Sequence, residues 1–300
     1  MRIGVDLGGT KIEAVALAPG GALLFRRRVP TPQGEYDATI AAITSLVAAA
    51  DGETGARGTV GVGVPGIPSR ATGLMKNANS TCLIGRPLVA DLERALARPV
   101  RVANDANCFA LSEAADGAGA GADVVFGAIV GTGVGAGVVV GGRVLTGPNG
   151  VAGEWGHNPL PWPQDDERPG PRCYCGKDGC IETFLSGPAV ARDHAAHGGG
   201  DADAAEIARR AAEGDAAARA TLDRHAGRMA RALASVVNLL DPDVVVLGGG
   251  VSNLAPLYDE VPRLWGRWVF SDRVDTRLVP PKHGDASGVR GAAWLWPASP

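Results

Sequence analysis

The chain has 300 residues, enough for about two domains, and 29 Lys+Arg against 32 Asp+Glu leave a formal charge of −3. No basic stretch stands out and aromatics are only 5%, which excludes the electrostatic footprint and the stacking platform of a nucleic-acid binder. No apolar run approaches the ~20 residues of a membrane span, Asp6 stands where a signal peptide needs apolar residues, and five cysteines, an odd number, point to reduced thiols in the cytoplasm.

Alternating polarity over 3–7 predicts a strand, Gly8-Gly9-Thr10-Lys11 a turn, and 12–17 and 22–29 two further strands. With Asp37 as N-cap, Ile40, Ile43, Leu46 and Val47 mark one face of a helix. Residues 60–64 form a buried strand closed by Pro65-Gly66, and 67–87 a long loop, a length that is usually functional. A short helix over 91–96 and a strand over 100–103 lead to Asn104-Asp105. Beyond 106–115 the small residues Gly117–Gly121 read as a hinge.

The opening scheme of strand, Gly/Thr turn, strand, Gly turn, strand then recurs. It runs through 124–130, the turn 131–137, 138–140, Gly141-Gly142 and 143–145. A scheme present twice makes two related halves and not a solenoid. After an irregular segment over 146–182, a helix over about 203–240 carries Leu222, Met229, Leu233 and Val236 or Val237 on one face. Asp241-Pro242 stops it before the strand 244–247. Residues 288–296 read as a helix folding back on the first half. Strands alternating with helices, with antiparallel hairpins among them, make an α/β protein with mixed sheets.

The 44 glycines, about twice the ordinary share and without collagen's period, direct attention to turns where backbone meets a ligand. Asp6 beside Gly8, Gly9, Thr10 and Lys11 sets a carboxylate next to outward-facing amides. Such a concavity suits phosphate, with the Asp holding Mg²⁺ directly or through water. Gly131-Thr132-Gly133 repeats the design, and Gly248-Gly249-Gly250 follows a third strand. There is no P-loop, and the glycines at 131–135 lie in a hairpin instead of opening a helix, so a dinucleotide site fails. A nucleoside triphosphate clasped between two halves fits better.

Asp105 at a strand end reads as a helix N-cap or as the general base that phosphoryl transfer needs beside an attacking hydroxyl; Asn104 can hold a sugar hydroxyl. His157, Cys173, Cys175 and Cys180 form a closed tetrahedral set for structural Zn²⁺. Glu154 and Glu182, tied to those ligands, suit bidentate bonds to neighbouring sugar hydroxyls. Cys82 and Cys108 read as ordinary buried thiols, and His194, His197 and His225 as solvent-exposed.

On these residues the chain resembles the ROK family of sugar kinases, within the actin-like ATPase superfamily, over essentially its whole length. The most specific motif is Glu154-Trp-Gly-His157 followed by Cys-x-Cys-Gly-x-x-Gly-Cys-x-Glu over 173–182. Within the family it is similar to the bacterial fructokinase group at 76–81, 153–162, 173–177 and 282–297. The resemblance implies a two-domain, ribonuclease H-like fold with an interdomain cleft. A small domain over 1–117 takes back a C-terminal helix at about 287–300, and a large domain over 118–286 carries the zinc loop and nucleotide contacts.

It further implies ATP-dependent phosphorylation of the C6 hydroxyl of fructose, and of mannose second, with N-acetylglucosamine kinase or glucokinase as the alternative. Asp105 becomes the base. Asn104, Asp105, Glu154, His157 and Glu182 line the sugar, with one His157 nitrogen on zinc and the other facing it. Asp6, Gly8, Gly9, Thr10, Lys11, Gly131, Thr132 and Gly133 serve the phosphates, and Gly248, Gly249 and Gly250 lie near the adenosine. ATP, Mg²⁺ and structural zinc are expected, in a homodimer without nucleic acid or membrane. A non-enzymatic ROK regulator is disfavoured because the first phosphate turn starts seven residues from Met1, leaving no room for a helix-turn-helix. An actin-type scaffold would need neither the zinc knot nor the Asn-Asp pair. The run Asn158-Pro159-Leu160-Pro161-Trp162 places bulk where an N-acetyl group would need room.

Overall fold

The computed structural model describes residues 1–78 and 80–297. Asn79, inside the 76–81 stretch, and the last three residues of the 287–300 segment lie outside the described residues. Contacts divide the chain into two compact units, Met1–Gly121 with Gly142–Ala152 and the segment from Asp285 onward, and Ala122–Gly141 with Gly153–Gly284. The segment 142–152 and the C-terminal segment therefore belong with the first unit, a partition that no single cut of the sequence produces.

In the first unit, β1 (Arg2–Leu7), β2 (Lys11–Leu17) and β3 (Leu23–Pro30) form an antiparallel meander, because their connections are too short for anything else. Strands β4 (Thr59–Val64) and β5 (Val100–Asn104) join parallel to β1, giving the order β3-β2-β1-β4-β5. Their crossovers carry α1 (Tyr36–Thr54) and α2 (Leu88–Leu96). The core gathers Ile3, Val5, Ile12, Ile43, Val47, Val62, Leu88 and Leu92. Glu35, and not Asp37, occupies the N-cap position of α1, without a side-chain cap bond. Asp37 sits in the first turn, where a carboxylate still favours the helix dipole. The long loop after β4 contains a small antiparallel pair, Ile67–Pro68 with Met75–Lys76.

Helix α3 (Asp105–Ala115) leaves the end of β5. The C-terminal helix, here α8 (Ser287–Trp294), packs against α3, β1 and β4. It comes so close that a Cβ on Gly4 would meet Val289 O at 2.1 Å, and one on Gly291 would meet Cys108 O at 1.6 Å. Only glycine allows that approach.

The second unit repeats the plan with β6 (Val124–Val130), β7 (Val134–Val140), β8 (Val244–Gly248) and β9 (Arg277–Val279), in the order β7-β6-β8-β9. The hairpin turn is shorter than its glycines suggest: Gly135 and Gly137 are strand residues, paired with Ile129 and Gly127. The expected helix over 203–240 is two, α5 (Ala204–Ala212) and α6 (Ala216–Leu240), separated at Gly214 with φ +96°. Two more helices carry no sequence expectation, α4 (Gly187–Ala196) and α7 (Leu257–Trp265). His194 on α4 and His225 on α6 are buried, which corrects the reading of them as exposed; His197 alone of the three is exposed. The His194 Nδ1 lies 2.9 Å from Thr221 Oγ1. Burial, helped by Arg228, pushes the His225 imidazole down to about 4, so it is neutral at ordinary pH. No helix among the described residues is long and apolar enough to cross a membrane.

Candidate active site

Parallel pairing of β1, β4 and β5 sets their carboxyl ends at one edge of the first sheet, where open α/β sheets place their ligands. Asn104 and Asp105 lie there with separate duties. Asn104 Oδ1 accepts the Asn107 N–H at 2.8 Å and is the N-cap of α3. Asp105 is the first helical residue, and its Oδ1 accepts the neighbouring Ala106 N–H at 2.8 Å. The capping reading of Asp105 therefore passes to Asn104. The Asp105 side chain is reachable from solvent yet surrounded by protein, and the resulting desolvation raises its pKa against the pull of local backbone N–H groups.

Asp6 is the second acid. Burial pushes it up to about 6, assisted by the charges of Asp105 and Glu13 and opposed by Lys11. Glu13 lies directly across the ladder from Asp6 but is committed elsewhere: it is buried, and its two oxygens accept Arg26 Nε at 2.5 Å and Arg28 Nε at 2.7 Å. The turn between the strands is fixed by Gly8 N–H to Lys11 O at 3.0 Å and by Thr31 Oγ1 to Gly8 O at 2.7 Å. A cavity of about 320 Å³ opens beside Gly9, lined also by Thr31, Gln33, Ser80, Thr81 and the half-buried Cys82. Cys108, one turn along α3 from Asp105, is fully buried, and burial with the Asp6 and Asp105 charges drives its thiol well above the ordinary value.

In the second unit, parallel pairing of β8 with β6 puts Gly248 opposite Ile129, so the turn after β8 meets the β6–β7 turn. A Cβ on Gly131 would stand 3.9 Å from Gly250 N. Gly249 has φ +79°, and a Cβ there would come within 2.4 Å of Val130 O, so only glycine closes this corner. The structure thus brings Gly131, Thr132, Gly133, Gly248, Gly249 and Gly250 together.

His157, Cys173, Cys175 and Cys180 also converge, with one donor atom from each within 4.8 Å of all the others. His157 Nδ1 is 3.6 Å from Cys173 Sγ, and Cys175 Sγ is 3.5 Å from Cys180 Sγ. Roughly 2.3 Å metal–sulfur and 2.0 Å metal–nitrogen bonds place tetrahedral donors about 3.5 to 4 Å apart, so three thiols and an imidazole at these separations fit Zn²⁺. A bound zinc would supply a rigid crosslink with no open coordination position. The loop is shaped for this without the metal: Cys173 N–H donates to Lys177 O at 2.8 Å and Gly176 N–H to Cys173 O at 3.0 Å. The Lys177 backbone N–H also holds the Cys175 thiol below its ordinary value.

Three placements differ from the sequence expectations. The second His157 nitrogen, Nε2, is 2.9 Å from the Tyr174 hydroxyl, whose ring stands edge-on to the imidazole at 5.1 Å; nothing in the sequence singles out Tyr174. Glu182 is not left with two free oxygens, because its Oε2 accepts the Val134 N–H at 2.9 Å. Leu160 turns into the core and the Trp162 carbonyl accepts Arg231 Nη1 at 2.7 Å, while Asn158, Pro159 and the Trp162 ring stay exposed, so only part of the run 158–162 is spent on internal packing. Glu154 remains exposed.

The charge-rich stretch before the first cysteine, silent in sequence, has a clear structural use. Glu167 accepts Arg228 Nε at 2.8 Å and both Arg231 Nη atoms at 2.7 Å, all within the interior. Burial alone would raise this carboxyl, but the two guanidinium groups win and hold it at about 2. Arg228 and Arg231, three apart on α6, are the signal that could have found the clamp.

Glycine turns at strand ends, a strand-end acid pair and a Cys/His cluster thus accompany mixed sheets of the α/β class. The ROK family profile matches residues 2–299, and the chain belongs to the ROK family. It is 41% identical to the N-acetyl-D-glucosamine kinase of Escherichia coli O6:H1 over 299 residues, 98% of this chain and 99% of that one. Its structure is similar to that of a ROK hexokinase from Thermus thermophilus, with a TM-score of 0.87, 35% identity and coverage of 98% and 97%. A ROK family glucokinase from Streptomyces griseus, solved in complex with glucose and AMPPNP, gives a TM-score of 0.75 at 31% identity, with 98% of each chain covered.

Proposed function

We propose that the protein phosphorylates the C6 hydroxyl of a hexose with ATP and Mg²⁺, and that N-acetylglucosamine is preferred over fructose. One observation carries the chemistry: Asn104 takes the helix cap, which leaves Asp105 free to receive a proton. As the sugar oxygen attacks the γ-phosphorus in line, its proton passes to Asp105 and ADP departs. A carboxyl raised above its ordinary range lies closer to the pH at which it is both ionised and basic. The turns at 8–11 and 131–133 would hold the phosphates, with Gly248–Gly250 near the adenosine; Asp6 would hold Mg²⁺, directly or through water, and the ion would neutralise phosphate charge. Asn104, Glu154, His157 and Glu182 would hold sugar hydroxyls.

The substrate preference rests on the 41% identical relative named for N-acetylglucosamine. The steric argument for fructose is weakened at Leu160, which faces the core, and rests on the exposed Trp162. Fructose, favoured by the motif stretches, becomes the comparison substrate. Asp105→Asn should lower kcat for N-acetylglucosamine by about 10²- to 10⁴-fold with folding unchanged. ADP release by this variant, set beside its circular dichroism, checks it; near wild-type turnover would remove Asp105 from the chemistry.

A further inference from the structure

We infer that Glu182 is a positioning residue for the nucleotide: it carries the geometry of the Cys/His loop into the β6–β7 phosphate turn. The inference deepens the kinase reading and rests on it. Glu182 lies two residues beyond Cys180 and opens the helical turn Glu182–Leu185. Its Oε2 accepts the N–H of Val134, the residue that ends the turn, at 2.9 Å. A Cβ on Gly133 would come within 2.7 Å of the same oxygen, so the carboxylate lies against the turn's backbone. At the other end Gly187 N–H donates to Gly131 O at 2.8 Å, and the turn closes on itself through Gly131 N–H to Gly133 O at 2.9 Å. One short segment, 182–187, therefore grips both ends of the turn.

The chemistry of the grip matters. A turn that binds phosphate does so with backbone N–H groups, and their direction is set by the peptide planes. Glu182 fixes the plane that ends the turn, through a charge-assisted bond, while Gly187 fixes the one that starts it. Removing the carboxylate frees that peptide to rotate and leaves its amide bonded to water. A charge-assisted bond to backbone is among the stronger hydrogen bonds, so losing it should be felt in affinity for phosphate. A residue that only held sugar would leave nucleotide affinity untouched.

The test measures binding of a non-hydrolysable ATP analogue with Mg²⁺ in the absence of sugar, by calorimetry. Glu182→Ala should weaken nucleotide binding by about tenfold or more, whereas Glu182→Gln, which keeps a carbonyl acceptor, should stay within about threefold of wild type. Gly133→Ala provides a second route. Its Cβ would push the carboxylate away and weaken the nucleotide in the wild-type background, but cost little more once Glu182 is alanine. Wild-type nucleotide affinity in Glu182→Ala, or full additivity with Gly133→Ala, would overturn the inference and leave the kinase reading standing. Failure of the wild-type protein to bind the analogue would instead remove the kinase reading, and this inference with it.

Discussion

In the β1–β2 hairpin the carboxylates are strand residues: Asp6 and Glu13 oppose each other across the ladder, and Glu13 is neutralised by Arg26 and Arg28 from β3. In the β6–β7 hairpin the equivalent step beside the turn pairs Ile129 with Gly135, and the acid arrives from outside, as Glu182 on the Cys/His segment. Two hairpins of similar plan thus obtain their acid by different means. The first has it built into regular structure, at an electrostatic cost to the fold. The second borrows it from a segment with little regular structure, held by the Glu167 clamp and carrying the four Cys/His side chains that fit a metal. Damage to the two regions should therefore separate cleanly in what it changes.

The largest effect is expected at the knot. Cys180→Ser should abolish zinc, of which wild type should hold about one per chain, and cost the second unit ~5 kcal/mol or more, since structural zinc contributes directly to folding. Elemental analysis and calorimetric unfolding check both. Next comes the clamp: Glu167→Gln removes the carboxylate that Arg231 and Arg228 share in the interior, Arg228 keeping Asp193 at 2.8 Å, and should cost about 3–5 kcal/mol in urea unfolding. The hairpin in the first unit should respond in the opposite sense. The folded protein holds the Asp6 proton up to about pH 6 while the unfolded chain releases it near 3.8. Ionising Asp6 therefore costs stability progressively between those values, and the full cost stands above pH 6. Asp6→Asn should stabilise the protein at pH 7.5 by about 1–3 kcal/mol, with the gain fading toward pH 4, and should weaken binding of Mg²⁺–nucleotide. Equal gains at both pH values would contradict the assignment. The smallest effect is at the cap: Asn104→Ala should lose about 1 kcal/mol of stability, whereas Asp105→Ala should lose little. That contrast, measured by thermal unfolding, sharpens the division of duties between adjacent residues.

Strands and turns were legible because their signals are local. Alternation over 3–7 and the glycines after it specify a hairpin without help from elsewhere, and C-x-C-x₄-C with a distant His leaves few alternatives to a metal. What stayed hidden is non-local. Glu167 looks like one charge among several until α6 brings Arg228 and Arg231 to it. Glycines at 135 and 137 look like turn residues because propensity says so, yet cross-strand pairing with Ile129 and Gly127 keeps them in β7. Helix α4 starts at Ser186-Gly187-Pro188, where the serine caps and the proline suits a first turn, but a short polar helix carries a weak periodic signal. His194 and His225 read as exposed because their neighbours are polar; tertiary packing buries both.

The reading of this chain as a hexose kinase stands or falls most directly on its substrates. Initial rates of ADP release should be measured with N-acetylglucosamine, glucose, mannose and fructose at matched, subsaturating concentrations. A site built to pair with an N-acetyl group can discriminate strongly, because a sugar lacking it leaves polar groups unpaired. N-acetylglucosamine should therefore give the highest kcat/KM, about tenfold or more above fructose. Fructose or glucose leading by the same margin would contradict the substrate, and no ADP release with any of the four would contradict the kinase itself.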